Sequence, residues 1–245
     1  MHAVRALLER QPQRVLRLWL QQGRHERLAP IEQLARAAGC AIEHVEAARL
    51  RARLGEAVHQ GVVAEVRPLP PWREDELLQA VAQRVADPAA GAAAAPLLVA
   101  LDGVQDPHNL GAVLRTADAC GALAVIVPKD RAASLNATAR KAAAGAAEST
   151  PVATVTNLAR TLGLLKDAGL WIVGADAQAP QEARAADLTG PRVLVLGAEG
   201  HGLRELTRRH CDWLVRLPSL GAVESLNVSV AAGMLLYEAV RQRQG

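Results

Sequence analysis

Three short segments carry residue types whose spacing suits chemistry on a polar ligand. Near the C-terminus, Ser225-Leu226-Asn227-Val228-Ser229 sets a Ser-x-Asn-x-Ser pattern into an apolar run. Ser and Asn are poor helix-interior residues, because their side chains compete for backbone hydrogen bonds. At a helix start they cap free N–H groups and can present polar atoms to a ligand. The pattern therefore reads as a capping cluster, a ligand-facing cluster, or both. A second segment, Gly197-Ala198-Glu199-Gly200-His201-Gly202, places one carboxylate in a glycine loop, where backbone can approach a ligand closely. Its order is not the G-x-G-x-x-G of dinucleotide sites. No ribose-binding acid follows about twenty residues on, where Arg216 and Leu217 stand. His201 reads as an exposed loop residue as readily as an acid/base group. In the third segment, Arg115 follows Asn109 by nearly two helical turns. That pair faces a polar substrate, or it is a helix-capping Asn and a surface Arg.

The elements that must hold these segments show in the hydrophobic period. From residue 97 onward, Leu97–Leu101, Leu123–Val127, Leu170–Gly174, Arg192–Leu196 and Trp213–Leu217 are short apolar runs of buried-strand type. Helical stretches separate them, over Asn109–Cys120, Ser134–Ala146, Thr156–Ala168, Leu203–Arg209 and Ser225–Arg241. The alternation predicts an α/β fold whose mostly parallel sheet is covered on both faces. Ligands of such sheets sit at the carboxyl ends of strands, and each of the three segments follows a strand. Residues 1–68 read as a separate, smaller α/β unit: a helix over 3–10, strands over 15–20 and 61–66, a helix over Pro30–Ala38, and a short strand and turn around Ala41–Val45. Pro68, Pro70 and Pro71 break that pattern. Residues 69–96 read as a Pro/Ala-rich linker, with one helix over Glu74–Val85 and a low-complexity tether from Ala86 to Pro96.

Charge is unevenly spread. The chain of 245 residues carries a net charge of +3. The excess sits in the first 70 residues, where arginines outnumber glutamates, and that suits a polyanion partner. Arginine greatly outnumbers lysine, and its forked guanidinium matches phosphate. There is no Phe and a single Tyr, which argues against a sheet that stacks bases on aromatics. No uncharged run reaches the ~18–20 residues of a membrane helix, and the N-terminus lacks a signal-peptide pattern, so a cytoplasmic protein without a membrane partner is expected. Cys40, Cys120 and Cys211 are too far apart for a zinc site and odd in number, which suits a reducing compartment.

Taken together, DPHNLGAVLRTADACG at 106–121, VLGAEGHGL at 195–203 and LNVSVA at 226–231 resemble the three motifs of the SpoU (TrmH-like) ribose 2′-O-methyltransferases, a family of the SPOUT class. Further matches lie at 2–10, 57–66 and 127–150, so the resemblance spans essentially the whole chain. Its nearest subgroup looks like the bacterial enzymes that methylate a guanosine ribose of 23S rRNA; a tRNA or resistance-type rRNA enzyme of the same family is the alternative. The resemblance implies a SPOUT methyltransferase domain over 97–245 with a deep trefoil knot, S-adenosyl-L-methionine as cofactor, no metal, and a homodimer with the active site at its interface. It also implies an L30e-like RNA-binding domain over 1–68, with RNA rather than DNA as partner. Residue by residue, it assigns catalytic roles to Asn109, Arg115, Glu199, Ser225 and Asn227. Contacts to the cofactor fall to Gly197, Leu217 and Leu226. A guanidinium stays protonated at neutral pH, so Arg115 is expected to stabilise a developing alkoxide rather than to act as a base. Asn109 would orient Arg115 or the ribose.

The sequence departs from the family pattern in two places. The family usually reads P-M-x-G-x-V-x-S-L-N where this chain has Ser219, Leu220 and Glu224. The Tyr-Gly that precedes the first His in the family is also missing, so a slightly longer natural N-terminus is expected. Two readings from other classes are weaker. A non-catalytic RNA-binding scaffold has no reason to keep all five polar residues, and a nucleotide-dependent oxidoreductase is disfavoured by the glycine order.

Overall fold

The computed structural model describes residues 1–23, 25–54, 59–86, 95–221 and 225–244. They divide into two compact units, Met1–Leu69 and Pro70–Gly245.

The first unit runs α1 (His2–Arg10), β1 (Val15–Gln21), α2 (His25–Ala37), β2 (Ile42–Val45), α3 (Ala47–Leu54) and β3 (Val62–Val66). Strand β1 is central, parallel to β2 and antiparallel to β3. Successive strand side chains face opposite ways. Leu18 and Leu20 therefore bury with Leu8 of α1 and with Leu28 and Ile31 of α2. Trp19 takes the other face with Val45, Leu50 and Val63. The Trp19 indole donates to Glu43 Oε2 over 2.7 Å, and the Arg53 guanidinium lies 4.0 Å from its ring centre. Helix α3 is absent from the sequence reading: its run is Arg-rich, and among its described side chains Leu50 is the one large apolar group fully buried. Helix α2 begins at His25, ahead of the expected Pro30, which sits in its second turn and costs it one N–H donor.

The second unit carries α4 (Glu74–Val85), β4 (Leu97–Asp102), α5 (Pro107–Ala119), β5 (Ala124–Pro128), α6 (Ala137–Ala142), β6 (Val152–Val155), α7 (Leu158–Asp167), β7 (Trp171–Ala175), β8 (Gln181–Glu182), β9 (Arg192–Gly197), α8 (Glu205–His210), β10 (Trp213–Arg216) and α9 (Val228–Gln244). Its seven-stranded sheet has the order β6-β5-β4-β9-β7-β10-β8, with parallel pairings throughout. Both faces are covered. Leu97, Val99 and Leu101 bury against α5 and α9 through Leu110, Val113, Leu235 and Leu236. Leu98 and Ala100 bury against α4 and α7 through Leu77, Val81, Leu162 and Leu165. Two-sided burial is what makes these strands continuous apolar runs. Each fully buried Leu contributes ~1.5–3 kcal/mol.

Close packing is set by a glycine. A Cβ on Gly111 would lie 2.4 Å from the Ala139 carbonyl oxygen and 2.5 Å from Ala142 Cβ, so the bare backbone lets α6 lie on α5.

The stretch 69–96, expected as a linker, has residues 70–86 folded onto this sheet. Trp72 bridges to Ala153 of β6, and Leu77 and Val81 of α4 are fully buried. The tether core at 87–94 lies outside the described residues. The helix expected over 134–146 is shorter. Asn136 caps α6 by accepting from the Ala139 N–H at 3.0 Å, and the chain leaves the helix through Ala144 and Gly145, both at positive φ. Strands β6 and β8 are too short for their periods to show. No helix among the described residues is long and apolar enough to cross a membrane.

Candidate active site

From β4 the chain steps outward through β5 to β6, while β9, β7 and β10 lie on the other side of β4. The order reverses between β4 and β9, and the crevice at the carboxyl ends of such a pair is where open α/β sheets bind ligands. The loop after β4 and the loop after β9 meet there. The segment after β10 returns to the same place, although β7 separates β10 from β9.

Helix α5 is capped by Asp106, not by Asn109. The Asp106 carboxylate accepts from the His108 N–H at 2.9 Å, and Pro107 occupies the first helical position, where a missing N–H costs nothing. Asn109 is thus freed from capping, half-buried in the first turn. Its Nδ2 donates to Glu199 Oε1 at 3.3 Å, and its Oδ1 accepts from Asn227 Nδ2 at 3.0 Å. Asn227 Nδ2 also donates to Glu199 Oε1 at 2.8 Å. Glu199 further accepts from the Val228 N–H at 3.3 Å. One residue from each of three strand-end segments therefore joins a single hydrogen-bonded cluster.

Asn227 has two jobs. Its Oδ1 caps α9, accepting from the N–H groups of Ser229 at 2.9 Å and Val230 at 3.4 Å, while its Nδ2 serves the cluster. Helix α9 consequently begins at Val228, three residues later than expected.

Arg115 does not join this cluster. It is exposed on α5 and makes no hydrogen bond or ion pair among the described residues. Of the two roles expected for Asn109, orienting Arg115 or the ribose, the structure shows no contact with Arg115: the Asn109 amide bonds to Glu199 and Asn227. Glu224 lies outside the described residues.

An adjoining cleft of about 340 Å³ is walled by Leu196, Gly197, Leu217, Ser225, Leu226 and Ala231. Its apolar side chains suit the flat face of a purine, and Glu199 and Asp176 also line it. A Cβ on Gly197 would sit 2.0 Å from the Gly202 carbonyl carbon, so the two glycine backbones are in contact and this wall is bare main chain. These features fit S-adenosyl-L-methionine, which carries an adenine and a positively charged sulfonium. Gly197, Leu217, Ser225 and Leu226 all line the cleft, as does His201.

One residue of these loops was not singled out by the sequence. Asp102, at the end of β4, is only 1 % exposed, and its Oδ2 accepts from the Arg204 N–H at 2.8 Å. This bond ties the end of β4 to the end of the glycine loop. A charged residue closing a run as apolar as Leu97–Leu101 was the available signal. Cys211, between α8 and β10, bonds through Sγ to the Thr207 carbonyl at 3.5 Å, and burial pushes its thiol up to about 12.

A doubly covered parallel sheet, with a polar cluster and an apolar cleft where its strand order reverses, defines a nucleotide- or cofactor-binding α/β enzyme. The chain belongs to the SpoU rRNA Methylase family, whose model matches residues 96–237. A second model, RNA 2′-O ribose methyltransferase substrate binding, matches residues 1–72. The chain is 54 % identical over 244 residues to the 23S rRNA (guanosine-2′-O-)-methyltransferase RlmB of Pseudomonas putida, covering 99 % of this chain and 95 % of that protein. It is 49 % identical over 243 residues to the protein of the same name from Escherichia coli, covering 99 % and 96 %. Among solved structures, the SpoU methyltransferase AviRb of Streptomyces viridochromogenes, in complex with AdoMet, matches with a TM-score of 0.70 and 27 % identity, covering 99 % of this chain and 88 % of that one.

Proposed function

We propose that this protein transfers a methyl group from S-adenosyl-L-methionine to the ribose 2′-hydroxyl of a guanosine in 23S rRNA. The observation that carries this reading is the joining of Asn109, Glu199 and Asn227 beside a purine-sized cleft, in a member of the SpoU rRNA methylase family. The cofactor, when bound, supplies an electrophilic methyl group. The residues then have to hold the ribose oxygen in line and manage its charge. Gly197, Leu217 and Leu226 form the cofactor walls. Asn109, Glu199, Ser225 and Asn227 offer the donors and acceptors that orient the ribose. Arg115, with no partner among the described residues, stabilises the negative charge that grows on the oxygen and meets the neighbouring phosphate.

Several finer points belong to the same reading. Residues 1–68 act as an L30e-like RNA-binding domain, which their basic excess supports, 97–245 carry the chemistry, and 69–96 connect the two. The return of the segment after β10 to the end of β9, past β7, supports a trefoil knot. The protein works as a homodimer. Val230, Met234 and Tyr237, 50, 42 and 68 % exposed at helical spacing on α9, offer an apolar stripe for a second copy. It acts in the cytoplasm on RNA, apart from DNA and membranes.

The test is methyl transfer from labelled S-adenosyl-L-methionine to unmodified 23S rRNA, followed by mapping of ribose methylation. One 2′-O-methylguanosine is expected. Methylation of tRNA alone, or of no RNA, overturns the reading.

A further inference from the structure

We propose that a second cleft, between the β4–α5 loop and the Glu199–Arg204 loop, receives the base of the target nucleotide, and that Asp102 and Arg204 select guanine there. This rests on the guanosine methyltransferase reading above.

The cleft is lined by Asp102, Gly103, Gln105, Asn109, Glu199 and Arg204. It shares Ala198, Glu199, His201, Gly202 and Val228 with the cofactor cleft, so Glu199 forms part of the wall between them. In this proposal the ribose sits at the Asn109–Glu199–Asn227 cluster and the base takes the cleft opposite the cofactor.

Two observations point to a ligand. The first is Asp102. Its Oδ2 is satisfied by the Arg204 N–H, but its Oδ1 is buried and has no hydrogen-bond partner. A buried carboxyl oxygen without a donor is costly, and native structures rarely leave one so. The second is the Arg204 guanidinium. It is 48 % exposed, and its Nη1 stands 3.6 Å from that oxygen, beyond hydrogen-bond reach. It lies against Gly103, where a Cβ would come 3.0 Å from Nη2. The buried oxygen is thus held only by a 3.6 Å ion pair with a half-exposed guanidinium, and it accepts no hydrogen bond.

Guanine complements that pair most fully of the four bases; uracil offers one donor, N3–H, beside its carbonyl acceptors. Its N1–H and N2–H groups supply donors to a carboxylate, and its O6 and N7 accept from a guanidinium fork. Adenine reverses the polarity at position 6, and pyrimidines lack N7. A phosphate is a poorer occupant, because Asp102, Asp106 and Glu199 all line the same cleft. Arg204 moves from beside Asp102 Oδ1 to the far edge of the base as the base enters.

The test compares steady-state methylation of 23S rRNA fragments carrying guanosine, inosine or 7-deazaguanosine at the methylated position. Inosine lacks the N2 amino group, and 7-deazaguanosine lacks the N7 acceptor. Wild-type protein is expected to lose about tenfold or more in kcat/KM on each analogue. Arg204→Gln keeps the backbone N–H that holds Asp102. It is expected to lower kcat/KM on guanosine and to bring guanosine and 7-deazaguanosine within about threefold of each other. Its S-adenosyl-L-methionine affinity, measured by calorimetry, should stay within about twofold of wild type, since Arg204 does not line that cleft. Asp102→Asn should likewise flatten the preference for guanosine over inosine. Equal wild-type rates on all three substrates, or an Arg204→Gln protein that keeps the wild-type ratios, overturns the inference while leaving the methyltransferase reading intact. Absence of methyl transfer to the guanosine fragment overturns both.

Discussion

Asn227 Nδ2 donates to Glu199 Oε1 across 2.8 Å, while Oδ1 of the same amide starts helix α9 by accepting from the Ser229 N–H at 2.9 Å. The site and the last helix therefore share one side chain. Aspartate at this position can cap but cannot donate, which separates the two jobs.

Asn227→Asp should keep the cap and fold normally, because Asp and Asn cap about equally well and a negative charge suits a helix start. It places a second carboxylate against Glu199, so methyl transfer should fall by about tenfold or more. Thermal unfolding and turnover measured on one preparation check this. Wild-type turnover in the Asp variant would show that the donated bond is dispensable.

Arg115→Ala removes an exposed side chain without a partner among the described residues, so stability should change by less than ~0.5 kcal/mol. Turnover should fall by about 10²–10³-fold, as for loss of one charge-stabilising donor. Calorimetry should report an unchanged cofactor affinity. A variant with full activity would remove Arg115 from the mechanism.

Gly197→Ala puts a methyl 2.0 Å from the Gly202 carbonyl carbon, where only a backbone shift can relieve it. A destabilisation of at least ~1–3 kcal/mol is expected, as for overpacking in a tight site. S-adenosyl-L-methionine should no longer bind measurably. Urea unfolding and calorimetry together test it, and a variant that binds the cofactor normally would contradict the close approach seen here.

Glu238 on α9 gives a pH signature. Hydrogen bonds from the Arg241 guanidinium hold its carboxyl down to about 2, and Gln242 adds a further donor. A carboxyl depressed in the folded state contributes stability above its ordinary value of 4.5, and that contribution is lost as the pH falls toward 2. The effect is small, since Arg241 is 56 % exposed and solvent screens the pair. Glu238→Gln should flatten the urea midpoint over that interval without changing it below pH 2. An identical acid profile for the two proteins would refute the pairing.

Much of the site was legible because its residue types are locally unusual. A carboxylate in a glycine loop, a Ser-x-Asn-x-Ser start to an apolar helix and an Asn two residues past a Pro stand out in any reading of the chain. Asp102 was hidden. It reads as the loop residue after a strand, and only its burial, with the Arg204 N–H 102 positions away, marks it. Helix α3 and strands β6 and β8 were missed because elements of two to eight residues carry too few apolar repeats to set a period.

By itself the sequence determined the alternation of strand and helix, hence a parallel sheet with loops at its carboxyl ends, because two-sided burial writes itself as continuous apolar runs. It also determined the family, through three motifs in order. Only the tertiary structure decided which of the motif residues meet. Asn109 pairs with Glu199 and Asn227, not with Arg115 six places along its own helix. Asp106 takes over the capping of α5, and the segment after β10 passes an intervening strand to reach the cluster. Periodicity reports which face of an element is buried. It carries no information on strand order, and strand order is what brings these three loops to one point.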